Sequence, residues 1–271
     1  MAKQTVLKEF ALADGVLYGP IKSRRLGSSL GINILPFSTK VCSFNCGYCQ
    51  CGWTYDLVEN AHLEDYPSSE EIEQAVADGL SKLVAKGEKV DYLTLAGNGE
   101  PTLHPDFYNV VKGIIRSRDG LMPSAKVTIL SNAATVAQNA TGRVEKIIVG
   151  LNLLDERIMK LDVGNDEKLL DINTPTIAVT LDEIIEGIKK LKDVILQTMF
   201  VQGNIDNTTE KDINDWMSAI TRIGRDKVRY VQIYTVDRVP ANAKIQPVAK
   251  DALERICYLL KEKTGINGIV Y

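Results

Sequence analysis

At 271 residues the chain can bury a large core, as one domain of barrel size or two small ones. Hydrophobic residues at 45% and charged residues at 25% are ordinary globular values, and no apolar run reaches the roughly 18 residues a membrane-crossing helix needs. A formal net charge of -3 and a pI near 5.6 argue against a broad nucleic-acid-binding face; with no secretory pattern in the opening Met-Ala-Lys-Gln-Thr, a soluble, cytoplasmic protein with reduced thiols is expected.

Residues 1–28 read as an entry segment carrying the basic run Lys22-Ser23-Arg24-Arg25. Such a run is usually a solvated face; close to a first strand, it is alternatively a phosphate or carboxylate contact. Residues 30–35 read as that first strand. Beyond its carboxyl end lies Cys42-Ser43-Phe44-Asn45-Cys46-Gly47-Tyr48-Cys49, three thiols within eight residues. Thiolate is the form in which cysteine anchors iron–sulfur clusters. Three thiolates would hold three irons of a 4Fe-4S cubane and leave the fourth open to a second molecule. An iron–sulfur electron-transfer protein would normally close that iron with a fourth Cys. A structural zinc site, and hence a zinc-binding interaction module, also stays open, because Cys51 could complete a four-thiolate set. A disulfide framework suits so long a chain less well. Cys51 reads as a bystander beside the cluster, and Cys257, among Ala252, Leu253, Ile256 and Leu260, as a small core residue.

A long connection through Trp53 and His62 leads to Ser68-x-x-Glu71, a capping box, and to Ile72, Val76, Leu80 and Leu83 at helical spacing, with Gly87 as the stop. Residues 90–96 read as strand two, ending in Gly97-Asn98-Gly99-Glu100-Pro101, where glycine lets backbone approach a ligand. His104 reads as a turn or capping residue before a helix containing Val110, Val111, Ile114 and Ile115. Strand three, residues 126–130, delivers Ser131 and Asn132. Thr141 is the expected cap of a helix through Val144, Ile147 and Leu151. Strand four, residues 157–161, delivers Lys160 and Asp162. Thr180-x-x-Glu183 caps the next helix. Strand five spans 194–201 and contains Gln197; Gly203 to Asn207 turn into a helix with Ile213, Trp216 and Ile220. Strand six spans 228–234 and precedes Asp237 and Arg238. A last helix at about 248–263 and a short edge strand at 266–271 complete the chain.

Six strands alternating with helices imply parallel pairing through right-handed crossovers. The expected fold is therefore α/β, a partial (β/α)6 TIM-like barrel of parallel strands with helices outside. It is expected as a single domain over residues 1–271, with the barrel core at 29–240 and the final helix and edge strand at 241–271. A doubly wound open sheet is the runner-up, although its first βα turn lacks GxGxxG. In barrels the chemistry gathers where strands end and loops begin, which is where Cys42, Cys46, Cys49, Gly99, Glu100, Ser131, Asn132, Asp162, Asn204, Tyr234 and Arg238 fall.

CxxxCxxC with aromatic Tyr48 before the last Cys resembles the signature of the radical S-adenosylmethionine (radical SAM) superfamily. Gly97-Asn98-Gly99-Glu100-Pro101 is similar to that family's Gly-Gly-Glu-Pro segment, with Asn98 in place of the second glycine. Ser23-Arg-Arg-Leu-Gly27, Gln197-Thr-Met-Phe200 and Val231-Gln-Ile-Tyr-Thr-Val-Asp-Arg238 resemble an Fe–S oxidoreductase branch similar to the wyosine-forming tRNA enzymes. Those enzymes carry a second cluster, for which Cys51 and Cys257 are too few. The resemblance implies one 4Fe-4S cluster on Cys42, Cys46 and Cys49, with S-adenosyl-L-methionine chelating the open iron and cleaved to a 5′-deoxyadenosyl radical that takes hydrogen from a substrate. It implies cofactor contacts from Tyr48, Gly97, Asn98, Gly99, Glu100, Ser131, Asn132, Asp162 and Gln197, with Glu100 on the methionine ammonium. Lys160 and Arg238 are the expected catalytic residues on the substrate side; the alternative for each is a satisfied structural pair, Lys160 with Asp162 or Arg238 with Asp237. A low-potential electron donor such as flavodoxin or ferredoxin is implied. The reaction class among oxidoreductase, lyase and transferase stays open. With no appended recognition domain in sight, a small-molecule substrate is slightly favoured over tRNA or peptide.

Overall fold

The computed structural model describes residues 12–54, 62–137 and 143–271. In chain order they form β1 (Leu17–Ser23), β2 (Gly27–Ile32), α1 (Ser69–Ala85), β3 (Tyr92–Leu95), α2 (Phe107–Leu121), β4 (Lys126–Ser131), α3 (Val144–Leu153), β5 (Glu156–Lys160), the short α4 (Asp166–Lys168), α5 (Leu181–Lys189), β6 (Val194–Met199), β7 (Val201–Gly203), α6 (Glu210–Ile223), β8 (Val228–Tyr234), β9 (Ile245–Pro247), α7 (Lys250–Thr264) and β10 (Gly268–Val270). A π turn, Leu169–Asn173, follows α4 directly.

One sheet carries eight strands in the order β1-β2-β3-β4-β5-β6-β8-β10. Only β1 runs antiparallel, against β2; every other neighbour is parallel. Parallel neighbours need long crossovers, and a helix fills each one. The sheet is curved into a partial barrel. Leu130, Ile158, Ile195, Tyr92 and Tyr230, from five adjacent strands, share one small apolar cluster with Leu26, which places them on a concave face. The opposite face meets the helices in the main core, built around residues such as Ile72, Leu93, Ile114, Ile129, Leu196 and Trp216. Side chains alternate with period two along β5, so Ile158 and Lys160 share the inner side while Met159 joins the outer core.

The two predicted capping boxes close as expected. Glu71 N donates to Ser68 Oγ at 3.2 Å and Ser68 N to Glu71 Oε2 at 2.7 Å. Thr180 and Glu183 repeat the pattern at 3.3 and 2.9 Å. The predicted Thr141 cap lies outside the described residues.

Elsewhere the boundaries move. The first parallel strand runs Gly27–Ile32 rather than 30–35, because Asn33 leaves the ladder to bond Leu35 and Asn98. The entry segment contains β1, so the sheet begins before residue 29 and, through β10, continues past residue 240. Strand five stops at Met199; Phe200 breaks the ladder, and Val201–Gly203 pairs instead with β9.

Candidate functional site

The cysteine loop is tied to three strand ends. Beside β3, Val41 N donates to Asn98 O at 2.9 Å and Glu100 N to Val41 O at 3.0 Å. Gly99 lies so close that a Cβ would sit 1.8 Å from Val41 O, and its φ of +138° is one that glycine alone tolerates well. Beyond β5, Asn45 N donates to Asn173 O at 3.0 Å and Thr176 N to Ser43 O at 2.9 Å. After β8, Ala241 N and Asn242 N donate to the carbonyls of Cys49 and Gly47 at 3.1 and 2.9 Å.

Cys42, Cys46, Cys49 and Cys51 are free thiols. Asn132 Nδ2 lies 3.6 Å from Cys42 Sγ, and Asn173 Nδ2 lies 3.5 Å from Cys46 Sγ. Burial pushes the Cys42 thiol up, and pushes Cys46 up to about 11 despite hydrogen bonds from Tyr48 and Asn173. The Cys51 thiol, hydrogen-bonded to Cys49, pulls Cys49 down to about 5 against burial, helped by the Lys40 ammonium. Cys51 itself is pushed up, first by that bond to Cys49 and then by burial. Burial works against the charge on Lys40, yet the neighbouring cysteines outweigh it and raise its pKa. Lys40 is buried and donates to Gly52 O at 2.7 Å.

This donor set fits a thiolate-ligated cluster. It offers soft sulfur ligands, amide donors at two of the sulfurs and a buried cation beside them, and bound iron would supply the charge that buried thiolates need. Among the described residues no group of three or more His, Cys, Asp and Glu is arranged to hold one metal ion.

Glu100 is buried, and its carboxylate accepts from Thr102 N (3.1 Å), Thr102 Oγ (2.6 Å), Ser131 Oγ (2.9 Å) and Asn132 N (2.6 Å). Burial raises its pKa against all four donors. Glu100, Ser131 and Asn132 thus form one unit joining the ends of β3 and β4. The Asn98 side chain is buried, donating to Ala13 O and Pro36 O at 2.9 Å each and accepting from Ala13 N at 2.8 Å, so only its backbone faces the cysteine loop. Gly97 packs on Asn33, and a Cβ there would lie 2.5 Å from Asn33 Oδ1.

Across the mouth, Asp162 is the hub. Its Oδ2 accepts from Tyr48 Oη and from Asn173 Nδ2 (2.8 Å); its Oδ1 accepts from Met199 N (2.8 Å) and pairs with Lys160 Nζ at 3.0 Å. Lys160 Nζ also donates to Tyr234 Oη at 2.9 Å and lies 4.9 Å from the ring centroids of both Tyr48 and Tyr234. Burial opposes its charge, but Asp162 and Tyr234 win and the pKa is raised. The chain of bonds continues from Tyr234 Oη to Gln197 (3.1 Å) and from Gln197 to Gln232 (2.7 Å). Burial, then Asp162, pushes the Tyr48 phenol up, so it stays a proton donor.

The structure therefore joins Tyr48, Lys160, Asp162 and Gln197 on one side of the loop, and Glu100, Ser131 and Asn132 on the other. Arg238 is not brought in with Lys160: it is exposed on the rim, where Nη1 reaches Gln50 Oε1 at 3.4 Å. Asn204 is exposed in the turn before α6. The sequence reading missed Asn173, Lys40 and Asn33. Lys40, two residues before the first cysteine, could have been suspected as a counter-charge; Asn173 carried no signal, because it reaches the site through a π turn. A narrow cavity lined by Phe44, Asn132, Lys160, Asp162 and Asn173 opens here. A larger open groove lined by His104, Tyr108, Arg143 and Lys146 holds none of the expected site residues.

Comparison with known proteins bears on the family and the fold. The Radical SAM superfamily pattern matches residues 37–220, from the cysteine loop to α6. The UPF0026 protein MJ1312 of Methanocaldococcus jannaschii is 30% identical over 259 residues, which span 94% of this chain and 74% of that protein. Streptococcus suis SuiB, solved with its precursor peptide SuiA, superposes with a TM-score of 0.60 at 16% identity over 91% of this chain, which spans only 50% of SuiB. An archaeal TYW1 superposes with a TM-score of 0.54 at 11% identity, covering 90% of this chain and 76% of that one. At such identities the solved structures show the fold, a partial TIM-like barrel; motif and family pattern show the kinship. The chain belongs to the radical SAM superfamily of enzymes.

Proposed function

We propose that Cys42, Cys46 and Cys49 hold one 4Fe-4S cluster, that S-adenosylmethionine binds at its open iron, and that the enzyme abstracts hydrogen from an organic substrate. When bound and reduced, the cluster would supply one electron to the S-adenosylmethionine sulfonium, being itself oxidised, and the S–C5′ bond would break to give methionine and a 5′-deoxyadenosyl radical. The observation that carries this reading is the convergence of three free thiols with Asn132, Asn173 and Lys40 at the carboxyl ends of parallel strands.

The chain's own part is binding and orientation. The backbone of Gly97, Asn98 and Gly99 offers polar groups to the methionine moiety. Glu100, fixed by three donors on Oε1 and one on Oε2, presents the remaining lone pair of Oε2 to the ammonium. Ser131 and Asn132 border the same space. The Tyr48 ring, Asp162 and Gln197 border the opposite side, where the nucleoside is placed. Lys160, an ammonium between two tyrosine rings, faces the substrate side, and Arg238 stands at the rim. The buried Tyr48 and Asp162, with the partly buried Lys160, keep water from the reacting atoms.

SuiB is solved with a precursor peptide, which keeps a peptide substrate in view. A net charge of -3 gives a polyanionic tRNA no broad attractive face, and a small molecule remains slightly favoured. Flavodoxin or ferredoxin chemistry would supply the electron.

Anaerobic reconstitution tests the reading. The expected protein is brown with about four irons per chain, and with dithionite it releases 5′-deoxyadenosine from S-adenosylmethionine. Cys49→Ala should lose the iron, and Cys51→Ala should keep it. Iron without sulfonium cleavage would instead establish an electron carrier; one zinc and no iron would establish a zinc-binding module.

A further inference from the structure

The two amides beside the cysteine sulfurs come from unrelated parts of the fold. Asn132 follows β4. Its Oδ1 accepts from Ala134 N at 3.0 Å, which fixes the amide so that Nδ2 faces Cys42 Sγ at 3.6 Å and Ser43 Oγ at 2.9 Å. Asn173 ends the π turn Leu169–Asn173 and is buried. Its Nδ2 is oriented by the acceptor-only Asp162 carboxylate at 2.8 Å and reaches Cys46 Sγ at 3.5 Å. Such π turns often occur at functional sites. This one aims a buried amide at a sulfur instead of closing another α-helical bond.

We propose that Asn132 and Asn173 are positioning residues that set the reduction potential of the cluster by donating N–H···S hydrogen bonds to Cys42 and Cys46. The inference rests on the cluster reading above. Reduction adds an electron to a cluster whose negative charge is shared with its thiolate ligands. A donor pointed at a ligand sulfur therefore stabilises the reduced state more than the oxidised one and raises the potential. Asp162 couples the effect to the barrel. One of its oxygens holds the Asn173 amide, while the other faces Lys160, so the substrate side and the cluster side share one carboxylate.

The test is a potentiometric titration of the iron-loaded protein, followed by electron paramagnetic resonance, in wild type, Asn132→Ala, Asn173→Ala and the double variant. Thr176→Val serves as the control, because Thr176 Oγ supports the same loop by donating to Cys42 O at 3.2 Å and not to a sulfur. Each alanine variant should be harder to reduce. The double variant should shift the oxidised-to-reduced ratio about tenfold at fixed poise, which is about 59 mV for one electron. Thr176→Val should stay at the wild-type value, and Asn173→Gln, which keeps an amide donor, should recover part of the shift. Fe–S stretching bands should lose deuterium sensitivity in the double variant.

Unchanged potentials in all three alanine variants, or an equal shift in Thr176→Val, overturn the inference while leaving the cluster reading intact. Wild type that takes up no iron overturns both. Should the alanine variants fail to hold iron, Asn173→Gln decides: wild-type deuterium sensitivity supports the inference, and its complete loss overturns it.

Discussion

Lys160 is the residue on which the charge balance of the mouth turns. An ammonium whose side chain is only 14% exposed is tolerable because Asp162 pairs with it at 3.0 Å and Tyr234 accepts from it. Its pKa is raised above the usual 10.5 of a lysine, so the folded state binds this proton more tightly than the unfolded chain does. The stabilisation is therefore full below pH 10.5 and is lost as pH rises through the folded value. Asp162→Asn should remove this alkaline dependence. It should also cost roughly 3–5 kcal/mol near neutral pH, the usual effect of stranding one member of a buried pair. Denaturant unfolding of the two proteins at a series of pH values checks both statements; parallel curves for wild type and variant would count against the pairing.

At the scale of elements, the β1–β2 hairpin does most to shape the barrel without belonging to its βα repeat. Its tip turns inward: Leu26 joins Ile158 and Ile195 on the concave face, the Arg25 guanidinium lies 4.3 Å from the Tyr234 ring centroid, and Arg24 pairs with Asp237. The ion pair is about half exposed, so it is worth at most about 1 kcal/mol. Leu26 is the stronger anchor. Leu26→Ala should cost about 2–5 kcal/mol by opening a cavity among branched side chains, whereas Arg24→Ala should cost less than about 1 kcal/mol. Thermal and denaturant midpoints of the two variants give the comparison. This hairpin was hidden in the sequence because its residues alternate poorly. Gly19 and Pro20 interrupt any strand pattern, and only pairing with β2 makes a strand of this part of the entry segment. The π turn after α4 was equally hidden, since no periodicity marks one extra residue in a helical turn.

For the whole molecule, the parallel strands and their helices were legible because period-two and helical patterns alternate cleanly, and both capping boxes fixed helix starts to the residue. The cysteine loop was legible because three thiols at that spacing have few other uses. The support around them was legible only in part. Asn132 and Asp162 were expected at strand ends, but not their bonds to Cys42, 90 residues away, and to Tyr48, 114 away; Asn173, 127 residues from Cys46, was not expected at all, because at such distances local pattern says nothing about partners. The anchoring role of the Asn98 side chain was equally hidden: its amide is spent on Ala13 and Pro36, which ties down the chain ahead of β1.

Asp162 divides its two oxygens between the barrel and the loop, one on Met199 N and Lys160, the other on Tyr48 and Asn173. The loop therefore cannot peel away alone without stranding a carboxylate that the strands also need. Its breathing should merge with global opening. By hydrogen exchange, the amides of Asn45 and Cys49 should be protected to nearly the same free energy as that of Met199 in β6, an unusual rank for an irregular segment. In Asp162→Ala the loop amides should exchange first, and the cysteine loop would then behave as an ordinary surface turn.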